Sequence, residues 1–483
     1  MSRAAPTVLL AADVGTSALR VAALTPDGRP LHVARRPLAV AEPVPGWAEI
    51  DPELWWQALG EAVGEVLGHL PEGAAVQGLC LSGATRAQVV VDARGMPLRP
   101  AMLFADRRAE AEARDLARRL PTDNPAEALS AFHAYPRLAW LSAHEPEVLA
   151  RTHAVLEPKD WLNLRLTGEL AADAVTLSRL DAFPEAAEVL GWAERLLDRP
   201  RLWPWQEVGR VRAGTAPFDR LRGVPVSCGA MDTWATAIGA GAIRPGQAYD
   251  VAGTSEAVGL LSAARRVAPG LVAVRWGEAV WQLGGPTQVG ADSALWAHRA
   301  LRVEGALEAA IARVGARLPT ADWPVFLPWL AGERTPIWRS DVRGSFAGLG
   351  RDADGEALFW SVLEGVAHAL GDVLAIAAAA TGERAVEMRI AGGGARSDAW
   401  CQLKADVTAL PVIRTTVAET GLVGAAMCAA VGTGLYPDLD AAAAMMCRTE
   451  TVFEPRTALA EVFQERAQRW ARAKALALAM ALP

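Results

Sequence analysis

LLAADVGTSALRVAAL, residues Leu9 to Leu24, runs apolar residues into Asp13, turns through Gly15, Thr16 and Ser17, and becomes apolar again. About half a chain later AYDVAGTSEAVGLL, Ala248 to Leu261, repeats the pattern through Asp250, Gly253, Thr254 and Ser255. Each reads as a strand, a tight turn and a returning strand. Glycine in such a turn lets backbone amides approach an anion, and the Thr and Ser hydroxyls add donors. One such turn is weak evidence, because Gly-Thr-Ser is an ordinary hairpin sequence. The duplication carries the argument.

The repeat extends outward from both turns. In the first half Asp27-Gly28 predicts a hairpin and Leu31 to Arg35 a third strand. DPELWWQALGEAVGEVLGHL then spaces Leu54, Ala58, Leu59, Ala62, Val63, Val66 and Leu67 as a helix, with Pro52 in its first turn. VQGLCLSGA follows as a short apolar strand, 76–82, ending in Ser and Gly. In the second half residues 271–283 supply the third strand, LFWSVLEGVAHALGDVLAIAAAA a long helix, and VEMRIAGGGA a strand ending in Gly392, Gly393 and Gly394. The halves also finish alike. VPVSCGAMDTWATAIGAGA and LPVIRTTVAETGLVGAAMCAAVGTG each give a strand, an acid followed by Thr, and a helix of small residues; the acids are Asp232 and Glu419. Self-similarity on this scale predicts two related α/β domains, 1–243 and 244–483, hinged near GAIRPGQ. Helices between 107 and 220 are insertions into the first half.

Composition bounds the function. A chain of 483 residues, 52% hydrophobic and 21% charged, buries large cores and is not disordered. A net charge of −7 argues against nucleic acid or an anionic membrane as the main partner. The sequence shows no apolar run of membrane-span length and no signal-peptide pattern, so a cytoplasmic location is expected. The five cysteines are scattered without a CxxC and read as buried small hydrophobes in a reducing compartment.

The chain resembles the FGGY-family carbohydrate kinases, and most their xylulokinase-type members. Nine segments carry the resemblance in the family's order: DVGTSALR, GWAEIDPELWW, PLRPAMLFADRRA, EPKDWLNLRLTGEL, CGAMDTWATAIGAGAIRPGQ, VAGTSE, FLPWLAGERTPIWRSDVRGSFAGL, AGGGARSDAWCQLKADVTALPV and ETGLVGAAMCAA. The resemblance implies two ribonuclease-H-like domains of the actin/hexokinase/Hsp70 superfamily around a nucleotide cleft. It implies phosphoryl transfer from ATP to a hydroxyl of a small sugar or polyol, with Mg²⁺. Such chemistry needs positioning, charge neutralisation and a group to deprotonate the nucleophile.

Residue by residue, the resemblance gives Asp13 the metal, commonly through water. Gly15, Thr16 and Ser17 would meet phosphate, with Arg20 supporting the loop. Gly253 and Thr254 would hold phosphate from the other wall. Gly392, Gly393 and Gly394 would pass close to adenosine, with Arg396, Ser397 and Gln402 near base or ribose. Asp232 matches the catalytic base; as a plain structural residue it would be the N-cap of the helix that follows. Glu333 and Arg334 read as framework, Glu364 as a domain-closure or ion-pair residue, and Trp55 and Trp56 as core and cleft-wall packing.

One segment departs from the resemblance. Xylulokinases carry Gly-Gln-Met-His-Gly where this chain has SGATRAQ, so Ala84, Thr85 and Arg86 replace the family's Gln, Met and His. Thr85, Arg86 and Asp106, beside Asp232 and Thr233, are therefore expected to read a substrate other than D-xylulose, a four- or five-carbon ketose or polyol. The alternative pairs Arg86 only with Asp106 or Glu49, away from substrate. The competing classes are a superfamily ATPase that is not a metabolic kinase, a silent sugar-binding regulator, and a kinase of an unusual small molecule. The presence of both Asp13 and Asp232 speaks against the regulator. A homodimer is compatible with the resemblance, and no stretch of sequence marks its interface.

Overall fold

Thr7–Val14 (β1) and Ala18–Leu24 (β2) pair antiparallel around the first Gly-Thr-Ser turn, and Pro30–Pro37 (β3) returns beside β2. The structure is a computed structural model; it describes residues 6–480 apart from 121, 123, 125–128, 179, 181–183, 192–198 and 215–217. Gly28 makes the β2–β3 turn with φ 82°, its amide donated to Thr25 O at 2.9 Å. Pro52–Gly68 (α1) starts at Asp51, whose side chain accepts the Glu53 amide, and buries Trp55, Leu59, Ala62, Val63 and Val66. Ala75–Gly83 (β4) runs parallel to β1. Glu207–Arg210 (β5) and Pro225–Ser227 (β6) complete a six-stranded sheet in the order β5-β6-β4-β1-β2-β3. The helix Asp232–Gly239 (α2) follows β6.

The second sheet is built the same way. Gln247–Ala252 (β7) and Glu256–Ser262 (β8) form its hairpin. Residues 271–283, expected as one strand, instead form most of a hairpin of two, Val272–Arg275 (β9) and Trp281–Pro286 (β10). The reason is the turn at Gly277, whose amide bonds Val280 O at 3.0 Å. Glu387–Ala391 (β11), Val412–Thr415 (β12) and Thr449–Phe453 (β13) finish the order β9-β10-β8-β7-β11-β12-β13. The shared kernel is third, second, first, fourth and fifth strand: β3-β2-β1-β4-β6 in one sheet and β10-β8-β7-β11-β12 in the other.

Gly355–Thr381 (α3) is long and apolar enough, by length and composition, to cross a membrane, which the sequence reading did not anticipate. Here it is a core helix: Phe359, Trp360, Val362, Leu363, Val366 and Leu370 are buried. Its Glu364 lies fully buried against Arg466, with Nε to Oε1 at 2.5 Å and Nη2 to Oε2 at 2.6 Å. Asp398–Thr408 (α4) packs beside it. The five cysteines are free and buried, as expected.

Two compact units divide the chain, and they do not follow its linear halves. The first is Met1–Asp123, Glu127–Gly239 and Glu419–Arg448; the second is Asn124–Ala126, Ala240–Ala418 and Thr449–Pro483. They differ from the expected 1–243 and 244–483 chiefly in the segment Glu419–Arg448. Its helix Thr420–Gly432 (α5) packs on α2, β1 and β4. The contact is close because it is lined by glycine. A Cβ on Gly239 would stand 1.9 Å from Thr420 O, and one on Gly424 would stand 1.9 Å from Ala235 O. The two small-residue helices recognised as repeats in the sequence are thus each other's packing partners.

Candidate active site

The first unit gathers three acids and one arginine. Asp13 lies at the end of β1, and Arg20 is its cross-strand neighbour on β2. Arg20 Nη1 is 3.2 Å from Asp13 Oδ2 and 3.6 Å from Glu419 Oε2. Burial raises the Asp13 carboxyl to about 6, helped by the nearby charges of Asp232 and Glu419 and opposed by Arg20. Sequence reasoning put Glu419 in the second half of the repeat; the structure sets it beside Arg20. Asp232 is the first residue of α2, and its Oδ1 accepts both the amide of Thr233 at 2.6 Å and the Thr233 hydroxyl at 3.2 Å. Its loop is fixed from behind. Cys228 O accepts from Asn163 Nδ2 at 3.0 Å and from Lys159 Nζ at 3.4 Å, while Gly83 N bonds Ala230 O at 3.2 Å.

The Gly15 turn is equally fixed. Gly15 N bonds Ala18 O at 3.1 Å, and a Cβ there would stand 2.5 Å from that oxygen. Trp55, read from sequence as packing, is fully buried and donates its indole N–H to Gly15 O at 3.1 Å. Thr16 is half-buried and Ser17 exposed.

The expected sugar-reading residues divide. Thr85 and Arg86 are half-buried, and Arg86 has a left-handed backbone with φ 59°. Half-buried Glu157 accepts the amides of Arg86 at 3.3 Å and Ala87 at 3.2 Å. Burial pushes the Glu157 carboxyl up to about 8, against the Ala87 bond. Arg137, itself buried, donates to the Arg86 carbonyl and to Gln88 Oε1. The Arg86 guanidinium lies 5.8 Å from the Phe132 ring centroid and makes no ion pair with any described residue. The alternative in which it pairs with Asp106 or Glu49 is not what the structure has. Asp106 is fully buried; it takes Arg108 through Nε at 2.9 Å and Nη2 at 2.7 Å, and the Ala48 amide at 2.8 Å. Glu49 takes Arg99 and Arg108.

In the second unit the turn Gly253–Ser255 sits over the start of the helix Ala291–Ala300. Ala291 N bonds Gly253 O at 3.0 Å and Asp292 N bonds Thr254 O at 3.1 Å. Gly392, at φ 85°, would drive a Cβ to 2.6 Å from Ala252 O, whereas Gly393 is open. Arg396 is exposed. Ser397 caps α4 by accepting the Trp400 amide at 3.3 Å. Gln402 is tied by Nε2 to Asp406 at 3.1 Å and to Glu454 O at 2.8 Å.

The two aspartates of the repeat are not equivalent. Asp13 stands two residues before its glycine and Asp250 three before its own, and a one-residue offset on a strand reverses the face. Asp250 accordingly joins a buried triad. Lys404 Nζ, on α4, lies 2.6 Å from Asp250 and 2.7 Å from Glu256. Burial alone would lower the Lys404 amine, but the two carboxylates raise it. Arg334, read as framework, donates Nη2 to Ser255 Oγ at 3.1 Å. Its sequence neighbours gave no sign of this, since the contact spans 79 residues.

Comparison with known proteins bears on this arrangement. Residues 8–239 match the N-terminal domain of the FGGY family of carbohydrate kinases and residues 248–433 its C-terminal domain. The xylulose kinase of Escherichia coli strain K12 is 31% identical over 424 residues, 85% of this chain and 86% of that protein. The glycerol kinase of Citrifermentans bemidjiense is 29% identical over 484 residues, covering 93% and 94%. A crystal structure of a xyloylose kinase from Brucella ovis superposes with a TM-score of 0.89 at 28% identity, covering 98% of this chain and all of that one. The fold is the two-domain actin/hexokinase type. The chain belongs to the FGGY family of carbohydrate kinases. It is a phosphotransferase acting on an alcohol group, and ATP is the phosphoryl donor its family implies.

Proposed function

We propose that the protein transfers the terminal phosphoryl group of ATP to a terminal hydroxyl of a four- or five-carbon ketose or polyol, with Asp232 as general base. The observation that carries this reading is the cluster of Asp13, Arg20, Asp232 and Glu419 in the first unit, two from its central hairpin and two from the starts of its small-residue helices. Asp232 accepts the proton of the attacking hydroxyl as its oxygen bonds to phosphorus and the bond to the ADP oxygen breaks. Each Gly-Thr-Ser turn offers amides and hydroxyls to phosphate oxygens, and Gly392–Gly394 leave room for adenosine.

The acid-rich surroundings of Asp13 suit a divalent cation, and Mg²⁺ there would neutralise phosphate charge. Among the described residues no three His, Cys, Asp or Glu side chains are grouped as a metal site. Ser397 and Gln402, already bonded within the fold, contribute to the adenosine side by shape; Asp106, whose oxygens take Arg108 and the Ala48 amide, acts on the sugar wall through Arg108.

Asp232→Asn tests the base. It should lower turnover by roughly 10²–10⁴-fold with fold and nucleotide binding retained. An equal fall in stability and activity would reduce Asp232 to a helix cap. A screen of ketoses, polyols, aldoses and glycerol with ATP tests the substrate. D-xylulose as the best substrate would overturn that half of the proposal.

A further inference from the structure

Arg334 is a half-buried cation that makes no ion pair with any described residue. Its Nη2 donates to Ser255 Oγ at 3.1 Å and to Thr287 O, so it touches both the second Gly-Thr-Ser turn and the segment beneath it. Thr287 in turn holds the end of that turn, its amide bonding Glu256 O at 2.8 Å. Glu333, next in sequence, is the obvious neutralising group; its charge favours the guanidinium, but its oxygens are engaged elsewhere and make no ion pair with it. Its Oε1 accepts the amides of Gln288 at 2.6 Å and of Arg334 at 2.8 Å, and its Oε2 is buried without a hydrogen bond. Burial lifts the Glu333 carboxyl to about 7, which weakens it further as a counter-charge. Among the described residues Arg334 makes no ion pair, and its Nε is buried without a partner.

The fully buried cations of this unit are treated differently. Lys404 has Asp250 and Glu256, and Arg466 has Glu364. Removing a charge from water without pairing it is costly, so an uncompensated guanidinium fixed beside a glycine turn is a place for an anion. A guanidinium fork also matches phosphate oxygens.

We propose that Arg334, anchored through Ser255, binds the terminal phosphates of the nucleotide at the second Gly-Thr-Ser turn. This rests on the kinase reading given above. Equilibrium binding of ATP, ADP and adenosine to the full chain tests it. Arg334→Met should weaken ATP roughly 10- to 100-fold, ADP less, and adenosine hardly at all. Arg334→Lys, which keeps the charge, should recover most of the ATP affinity, whereas Arg334→Gln should not. If the methionine variant does not fold, the comparison of lysine with glutamine carries the test. Equal losses for ATP and adenosine, no loss for ATP, or a glutamine variant as good as lysine would overturn the proposal. A wild-type protein that binds adenosine as tightly as ATP would instead sink the underlying kinase reading.

Discussion

The Arg86 amide is donated to the half-buried carboxyl of Glu157 at 3.3 Å, and the Arg86 backbone is left-handed. A long side chain in that conformation costs on the order of 1–3 kcal/mol and persists only where its surroundings hold it. Glu157 from below and Arg137 at the carbonyl do the holding. The first prediction follows. Glu157→Ala removes both acceptors, a loss of about 1–3 kcal/mol, and should raise KM for the sugar while leaving KM for ATP unchanged. Arg86→Met should do the same without loss of stability. Sugar kinetics untouched by both would show that the turn does not meet substrate.

Asp13 gives a pH prediction with a definite sign. Its folded carboxyl keeps a proton up to about pH 6, against an ordinary value of 3.8. Between those values the folded protein binds more protons than the unfolded one, so this group makes stability fall as pH rises, levelling off above about 6. Asp13→Asn lacks the slope. With the side chain about a fifth exposed, solvent screening leaves on the order of 1 kcal/mol. The variant should therefore be slightly more stable than wild type at pH 7–8 and still lose phosphoryl transfer. Urea denaturation from pH 4 to 8 measures it; parallel curves for the two proteins would contradict the assignment.

Lys404 is predicted to matter for stability. Lys404→Met leaves Asp250 and Glu256 buried without their cation, at a cost of about 3–5 kcal/mol. Adding Asp250→Asn and Glu256→Gln should restore much of that loss. Denaturation midpoints of the single and triple variants decide it, and a single variant as stable as wild type would mean the triad is neutral at working pH.

The fold was legible because its signal is repetition. Two hairpins with Gly-Thr-Ser turns, two helices of strong period and two small-residue helices recur in one order, and each appears where the spacing set it. What escaped was anything that depends on one residue of register or on distant contacts. Asp13 and Asp250 look alike in the text and face opposite sides because of a single inserted residue. The resemblance gives Asp106 to the sugar, and nothing in the text shows that Arg108, two positions on, takes both its oxygens. Trp55 and Arg334 read as packing and framework, because their bonds to Gly15 and Ser255 cross 40 and 79 residues.

The return of Glu419–Arg448 to the first unit has a consequence for how the chain is made. A ribosome releases residues in order at roughly 5–20 per second. By the time Gly239 has emerged, the sheet of the first unit is written in full, but the helix that covers β1 and β4 has yet to be synthesised. For on the order of ten seconds or more the nascent chain carries that apolar sheet face bare. A gene truncated after the first half would prolong the exposure indefinitely, and its product should be captured by chaperones or aggregate. The half-length product should regain solubility when a peptide spanning residues 419–448 is supplied in trans.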